Sequence, residues 1–302
     1  MAAPARVLVH VRRGSAEGAA PFGKSVTGAF CPAHEDAAVV NYALRRHRFL
    51  LSDEAFPGSA AALLQRPPFC PAKRLGQRGE RPAAAPGAPG VAVAVATILQ
   101  AGTGRILLTR RARGLSAFPG LWVPPGGVME PGEEQLLCTG LRELQEETGL
   151  QLRGSAFTWR VLCLWESVFP PVLSWGSLRR HHLVVYLLLR CAESHCRLQA
   201  RMCPNESEVS AYAWLEPRVS AAIAATEDGA KTSGVENSGR ILSEVPASIR
   251  ITELSGGSTT SVRIPTRFLL RTIPEEGDDV ERVSSGTKAA LRLWRDSLGK
   301  QE

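Results

Sequence analysis

The chain has 302 residues, 44% hydrophobic and 22% charged. These are globular proportions, so wholesale disorder is excluded. The longest apolar run, Leu183–Leu189, falls well short of the ~18 residues a membrane span needs. Formal net charge is +7, and the excess lies in residues 1–90, where twelve basic side chains face six acidic ones. A basic arm attracts polyanions such as RNA, and a solvated arginine-rich surface is the plainer reading.

In chain order, Arg6–Arg12 reads as a strand with Val7, Val9 and Val11 on one face. Val39–Leu51 mixes apolar and basic residues, and Ala60–Leu64 has the composition of a short helix. Residues 66–90 hold six prolines and read as a linker or surface loop, since proline fixes φ and removes a donor. Regular patterning begins at Val91. Val91–Gln100 and Arg105–Arg110 suggest a hairpin around Gly102-Thr-Gly104, and Leu121–Val123 is a short strand ending at Pro124-Pro-Gly-Gly127. Glu133–Thr148 reads as a helix capped by Gly149. Phe157–Glu166, His181–Cys191 and Ser210–Leu215 read as strands, and Pro217–Thr226 as an alanine-rich helix. Gly229–Gly239 reads as a polar loop, Ser248–Arg271 as strands around Gly256-Gly257, and Thr287–Leu298 as a helix with Leu291 and Trp294 on an apolar stripe. Three segments result: a basic N-terminal extension with a proline-rich linker (1–88), a regular domain (89–226) and a C-terminal extension (227–302).

The seven cysteines form no CxxC, and Cys191-x3-His195-Cys196 lacks the second half of a zinc site. No apolar leader follows Met1 and the tail is not of the SKL type. The expectation is an intracellular, cytoplasmic protein with reduced thiols and no membrane contact.

The chemistry concentrates in Leu141-Arg-Glu-Leu-Gln-Glu-Glu-Thr-Gly-Leu150. On a helix, residues three and four apart share a face, so Glu143, Glu146 and Glu147 form one carboxylate patch. Their repulsion is relieved by hard divalent cations such as Mg²⁺ or Mn²⁺, or the patch is simply a solvated acidic face. Arg142 stands four before Glu146 and can brace it. Upstream, Gly126-Gly127 permits close backbone approach to a ligand, the Gly127 carbonyl can ligate a cation, and Glu130, Glu133 and Glu134 add carboxylates.

The pattern Gly127-x5-Glu133-x8-Arg142-Glu143-Leu144-x-Glu146-Glu147-x-Gly149-Leu150 resembles the Nudix box. It has one residue more than the family pattern between the first Glu and the Arg, so either Glu133 or Glu134 takes the first position. The resemblance, over residues 90–226, implies an α/β Nudix fold, an α/β/α sandwich with a mixed sheet, here with N- and C-terminal extensions. It implies metal ligation by Glu146, Glu147 and Glu143, with Glu133 and Gly127 contributing, and an orienting role for Arg142. Glu147, Glu143 or a downstream Glu would act as base. Glu208 in Asn205-Glu-Ser-Glu-Val209 is the candidate and Glu206 the alternative.

Leu107–Arg113, Leu121–Gly127, Leu164–Pro171, Leu173–Gly176, His181-His182 and Arg282–Lys288 extend the resemblance to Nudix hydrolases of 7-methylguanosine-capped RNA. The implied products are 7-methyl-GDP and 5′-monophosphate RNA. Coenzyme A, ADP-ribose or dinucleoside polyphosphates are alternative substrates, and a catalytically weak nucleotide-binding module is a third reading. Methylated guanine is a delocalised cation that stacks on aromatic rings. Trp165, Phe169 and Trp175, placed in a loop after a strand, are candidate platforms or packing residues. Trp122 is expected to pack under the Gly-Gly loop. Arg110, Arg111 and Arg113, with Arg179, Arg180 and His181 or His182, are candidate phosphate partners or solvated surface. The two histidines point opposite ways on a strand, so at most one faces the site.

Overall fold

A computed structural model describes residues 6–79, 90–226, 228, 245–274 and 278–298. The readings placed on Gly229–Gly239 and on the linker's prolines 82–89 lie outside these residues. Fourteen strands are described in chain order. The first five are β1 (Leu8–Arg13), β2 (Ala16–Ala19), β3 (Ala37–Arg45), β4 (Arg48–Ser52) and β5 (Ala60–Gln65). The next four are β6 (Ala92–Gln100), β7 (Ile106–Arg111), β8 (Trp122–Val123) and β9 (Gly126–Val128). The last five are β10 (Phe157–Phe169), β11 (Arg180–Cys191), β12 (Val209–Leu215), β13 (Ser248–Ser255) and β14 (Ser258–Pro265). The helices are α1 (Pro71–Gln77), α2 (Leu136–Thr148), α3 (His195–Gln199), α4 (Pro217–Ala225) and α5 (Ser285–Leu298). The mixed α/β class agrees with the sequence reading.

The residues fall into two compact units, one drawn from Met1–Ala96, Gly126–Gly140 and Val161–Leu187, the other from Thr97–Pro125, Leu141–Arg160 and Leu188–Glu302. In the first unit β10 pairs in parallel with β5, and β5 and β4 flank β3 antiparallel. β4 runs parallel to β1, which also pairs with β2 and, through Leu8 and Ala92, with β6. Parallel and antiparallel pairs together make the sheet mixed. β6 is a near-continuous apolar run, and Val91, Val93 and Val95 are fully buried. Each such side chain contributes roughly 1.5–3 kcal/mol.

Ala60–Leu64 is a strand, not a helix: cross-strand pairing with β3 overrides alanine's helix propensity, and Leu64 is fully buried. The proline-rich stretch is not all linker either. Pro71 opens α1 at a position that needs no N–H donor, and α1 buries Ala72 and Leu75. Arg66, also read as linker, is buried and ion-paired to Asp36 at 2.9 Å.

A buried polar knot joins the N-terminal segment to β10 and β11 in this unit. Glu166 accepts from Val26 N (2.8 Å) and His181 Nε2 (3.0 Å) on one oxygen, and from Ser25 Oγ (2.8 Å) and Thr27 N (2.9 Å) on the other. The Gly23 amide donates to His181 Nδ1 at 3.0 Å, so the imidazole proton sits on Nε2, aimed at Glu166. Burial alone would raise the Glu166 pKa, yet the bonds from His181 and Thr27 outweigh it and hold the carboxyl down at about 2.

In the second unit the path is β14–β13–β12–β7, with β8 on β7 and Gln100 of β6 opposite Ile106. α4 packs on α5, where Leu291 and Trp294 are buried as their stripe predicts. Trp294 donates to Gln100 Oε1 at 3.0 Å. Among the described residues no helix is long and apolar enough to cross a membrane, and all seven cysteines are unpaired with one another.

Glu166 has a folded pKa below its ordinary 4.5, so its stabilisation is complete above that value and lost as pH falls from 4.5 towards 2. Urea unfolding at pH 7 and pH 3 should show a loss that Glu166→Gln abolishes. At pH 7 that variant, which strands donors built for a carboxylate, should cost about 3–5 kcal/mol.

Candidate active site

The carboxylate patch lies in the second unit, on the last two turns of α2. Gly149 ends the helix at φ +73°, its amide donating to Gln145 O at 2.8 Å. The last carbonyls are satisfied from one short segment: Cys203 N donates to Thr148 O (2.9 Å) and Asn205 N to Glu147 O (3.0 Å). That segment continues to Glu208, whose carbonyl accepts from Ala112 N at the end of β7.

Glu143 and Glu147 are buried, while Glu146 is half exposed. Arg142 Nη1 bridges Glu143 Oε1 at 2.7 Å and Glu146 Oε2 at 2.9 Å, as its spacing predicts. Thr109 Oγ1 lies 3.3 Å from Glu147 Oε2 and 3.2 Å from the Val123 carbonyl oxygen, its one proton shared between the two acceptors. Burial pushes the Glu143 pKa up, as do the neighbouring charges of Glu146 and Glu208, while Arg142 opposes them. Burial lowers the Arg111 pKa, and Glu147, Glu208 and Glu143 pull it back. These couplings bring Glu208 and Arg111 to the patch. Glu206 is elsewhere, accepting from Gly257 N at 2.8 Å.

Other expectations are corrected. Arg110 does not stand open for phosphate. It pairs with Glu253 (2.8 Å) and Glu281 (3.2 Å), bonds Ser210, and lies over the Trp122 ring. Trp122 is fully buried and donates to the same Glu281 oxygen at 2.9 Å. Thr109 and Arg111 share one face of β7, and Arg110 takes the other. Arg111 serves the carboxylates as countercharge, its Nε donating to Ala117 O at 3.2 Å. Thr109 was missed, although the alternation that separates the two arginines also marks it.

In the first unit, Trp165 sits inside β10, opposite Gln65, and is buried, so it offers no stacking face. Phe169 is also buried, with the Arg179 guanidinium 4.7 Å from its ring centre. Enclosure of the His182 ring, with His181, Arg6 and Arg180 as its neighbours, pushes its pKa down to about 3. It is neutral at pH 7 and brings no charge to a phosphate.

The Gly-Gly segment is a strand rather than an open loop: Gly127 pairs with Val95, and a side chain at Gly126 would collide with the Val95 carbonyl. Its small size serves the closeness of β9 to β6. Glu133 Oε2 accepts from Glu130 N and from Thr139 Oγ1, each at 2.8 Å, whereas Glu134 is exposed.

Among the described residues no three His, Cys, Asp or Glu side chains are drawn together tightly enough to grip an ion as they stand. The donor set still suits a hard divalent cation: Glu143, Glu146, Glu147 and Glu208 offer carboxylate oxygens. Arg142 now supplies the positive charge that such an ion would bring to Glu143 and Glu146.

A NUDIX domain model matches residues 89–232. With the helix, its carboxylates and the strands that brace them, the chain belongs to the Nudix family. Its relatives make the assignment narrower. It is 44% identical to m7GpppN-mRNA hydrolase NUDT17 of Xenopus laevis, over 97% of this chain and 96% of that protein. It is 49% identical to the human protein of that name, over 86% of this chain and 79% of the relative. The Danio rerio counterpart is 41% identical over 97% of this chain and 96% of its own length.

Gly149→Ala tests the helix end. A Cβ there would lie 2.8 Å from Cys203 N, at a φ that side chains rarely adopt. The variant should lose roughly 1–3 kcal/mol in urea unfolding. A stability equal to wild type would mean that the 203–205 segment does not clamp the helix.

Proposed function

We propose that the chain is a divalent-metal-dependent pyrophosphohydrolase of 7-methylguanosine-capped RNA, releasing 7-methyl-GDP and a 5′-monophosphate RNA, and that it works in the cytoplasm. The observation that carries this reading is identity of 41–49% to m7GpppN-mRNA hydrolases over most of the chain, with Arg142, Glu143, Glu146 and Glu147 on one helix. Nudix hydrolases generally use divalent metal ions. Glu143, Glu146 and Glu147 would hold Mg²⁺ or Mn²⁺, with Glu208 as a further oxygen donor. When bound, the cation lowers the pKa of water and neutralises charge on the pyrophosphate oxygens.

The chain's own residues supply the rest. Glu147 takes the proton from the attacking water, held in orientation by Thr109. Arg111 places its charge beside Glu147, Glu208 and Glu143, as a countercharge to the patch. Arg142 keeps Glu143 and Glu146 apart from full mutual repulsion until a cation competes for them.

Product analysis tests the proposal. The protein is incubated with capped RNA, coenzyme A, ADP-ribose and diadenosine polyphosphates, each with Mg²⁺ or Mn²⁺. Wild type should release 7-methyl-GDP, and Glu147→Gln should lower kcat by about 10²–10⁴-fold with an unchanged thermal midpoint. Undiminished turnover by the variant would remove Glu147 from the chemistry, and preferred cleavage of another substrate would overturn the capped-RNA reading.

A further inference from the structure

Beyond the Gly149 end of α2, one end of the second unit is strongly basic. Residues 150–160 and 188–203 carry five arginines, 153, 160, 190, 197 and 201, and a single acid, Glu193. That acid is already ion-paired to Arg201 at 2.7 Å. The two stretches meet in space: Ala192 N donates to Ala156 O, and together they line a cavity of about 420 Å³. Arg153 and Arg201 are in its wall, beside Leu152 and Gln151.

Three details distinguish this surface from an ordinary solvated face. The Nε and Nη2 atoms of Arg190 are buried and meet no acceptor among the described residues. A buried guanidinium donor without a partner is costly, and a phosphate oxygen would satisfy it. Arg160 and Arg190, on adjacent strands, are close enough to repel, and an anion would relieve that repulsion. Arg153 Nη2 donates to the neutral amide oxygen of Gln151 at 2.8 Å, which does not cancel its charge.

Arg153 and Arg201 in the wall of a cavity of nucleotide size, with Arg160 and Arg190 on the neighbouring strands, match the phosphates of an RNA chain. We infer that this end of the second unit, centred on Arg153, Arg160 and Arg190, binds the RNA chain of the substrate. The inference rests on the capped-RNA reading for its meaning in turnover, but the binding is measurable without a cap.

The test is fluorescence anisotropy of a short uncapped oligoribonucleotide from about 50 to about 200 mM salt. The probe is titrated with wild type and with the triple variant Arg153→Ala/Arg160→Ala/Arg197→Ala, which spares the buried Arg190. Each lost phosphate contact lowers the salt slope by about 0.7, so the triple variant should flatten it by about 2 and weaken binding at low salt by about tenfold or more. Arg→Lys at the same three positions should restore the slope. In turnover, the triple variant should raise KM for long capped RNA and leave cleavage of a methylated cap dinucleotide unchanged.

An unaltered slope and affinity in the triple variant would overturn the inference, as would equally tight binding of polyglutamate. If wild type cleaves no capped substrate yet binds uncapped RNA through these arginines, the capped-RNA reading fails and the RNA surface stands.

Discussion

Placing three carboxylates within five residues of one helix, two of them buried, is an electrostatic problem before it is a catalytic site. Like charges this close destabilise the helix that carries them, and burial raises the penalty because water no longer screens them. Around α2 the second unit answers that problem. Arg142 bridges two of the carboxylates, Thr109 shares its hydroxyl proton with the third, and Arg111 presents its charge from β7. Protein groups provide enough compensation for folding, while the carboxylate oxygens remain the chemistry that a divalent cation prefers. The helix end is fixed for the same reason. Asn205 and Cys203 bond its final carbonyls, and the chain then runs directly to Glu208.

The first unit solves a different electrostatic problem by saturation. Glu166 fills its acceptor positions with four donors, and His181 is oriented from behind by a backbone amide. The N-terminal segment is thereby bonded to β10 and β11, while β1 is stitched to β6. This part of the chain is built into the sheet of its unit, with no free-standing arm among residues 6–65.

Much of this was legible in the residues and some was not, for identifiable reasons. The α2 carboxylates, the bracing Arg142 and the Gly149 stop all follow from local periodicity and helix-end chemistry, which need no tertiary information. Ala60–Leu64 was misread because its composition favours a helix while its environment is decided by β3, distant in the fold's logic though near in sequence. Arg110 and Arg111 look equivalent as a run, but strand alternation divides them, one towards Glu253 and Glu281 and the other towards the carboxylates. Applied to the two histidines, the same rule held: His181 is committed to Glu166, while His182 is enclosed and uncharged. Trp165 failed as a platform because β10 runs through to Phe169, carrying the indole into the core. The basic surface around Arg153 and Arg190 escaped notice because its charges come from separated stretches of a region whose net charge is only +2.

The pairing of β12 with β13 has a bearing on how the molecule can be divided. Ala211 and Tyr212 lie opposite Glu253 and Thr252, and Arg110 reaches across to Glu253 and Glu281. A fragment cut at residue 226 would uncover the backbone of β12 as a raw edge, a template for another chain's strand. It would also orphan a half-buried guanidinium and strip the ceiling from Trp122. The C-terminal residues thus act as the sheet's selvedge: they keep the minimal catalytic segment from fraying into aggregates, and trimming towards the smallest matching domain would trade solubility for brevity.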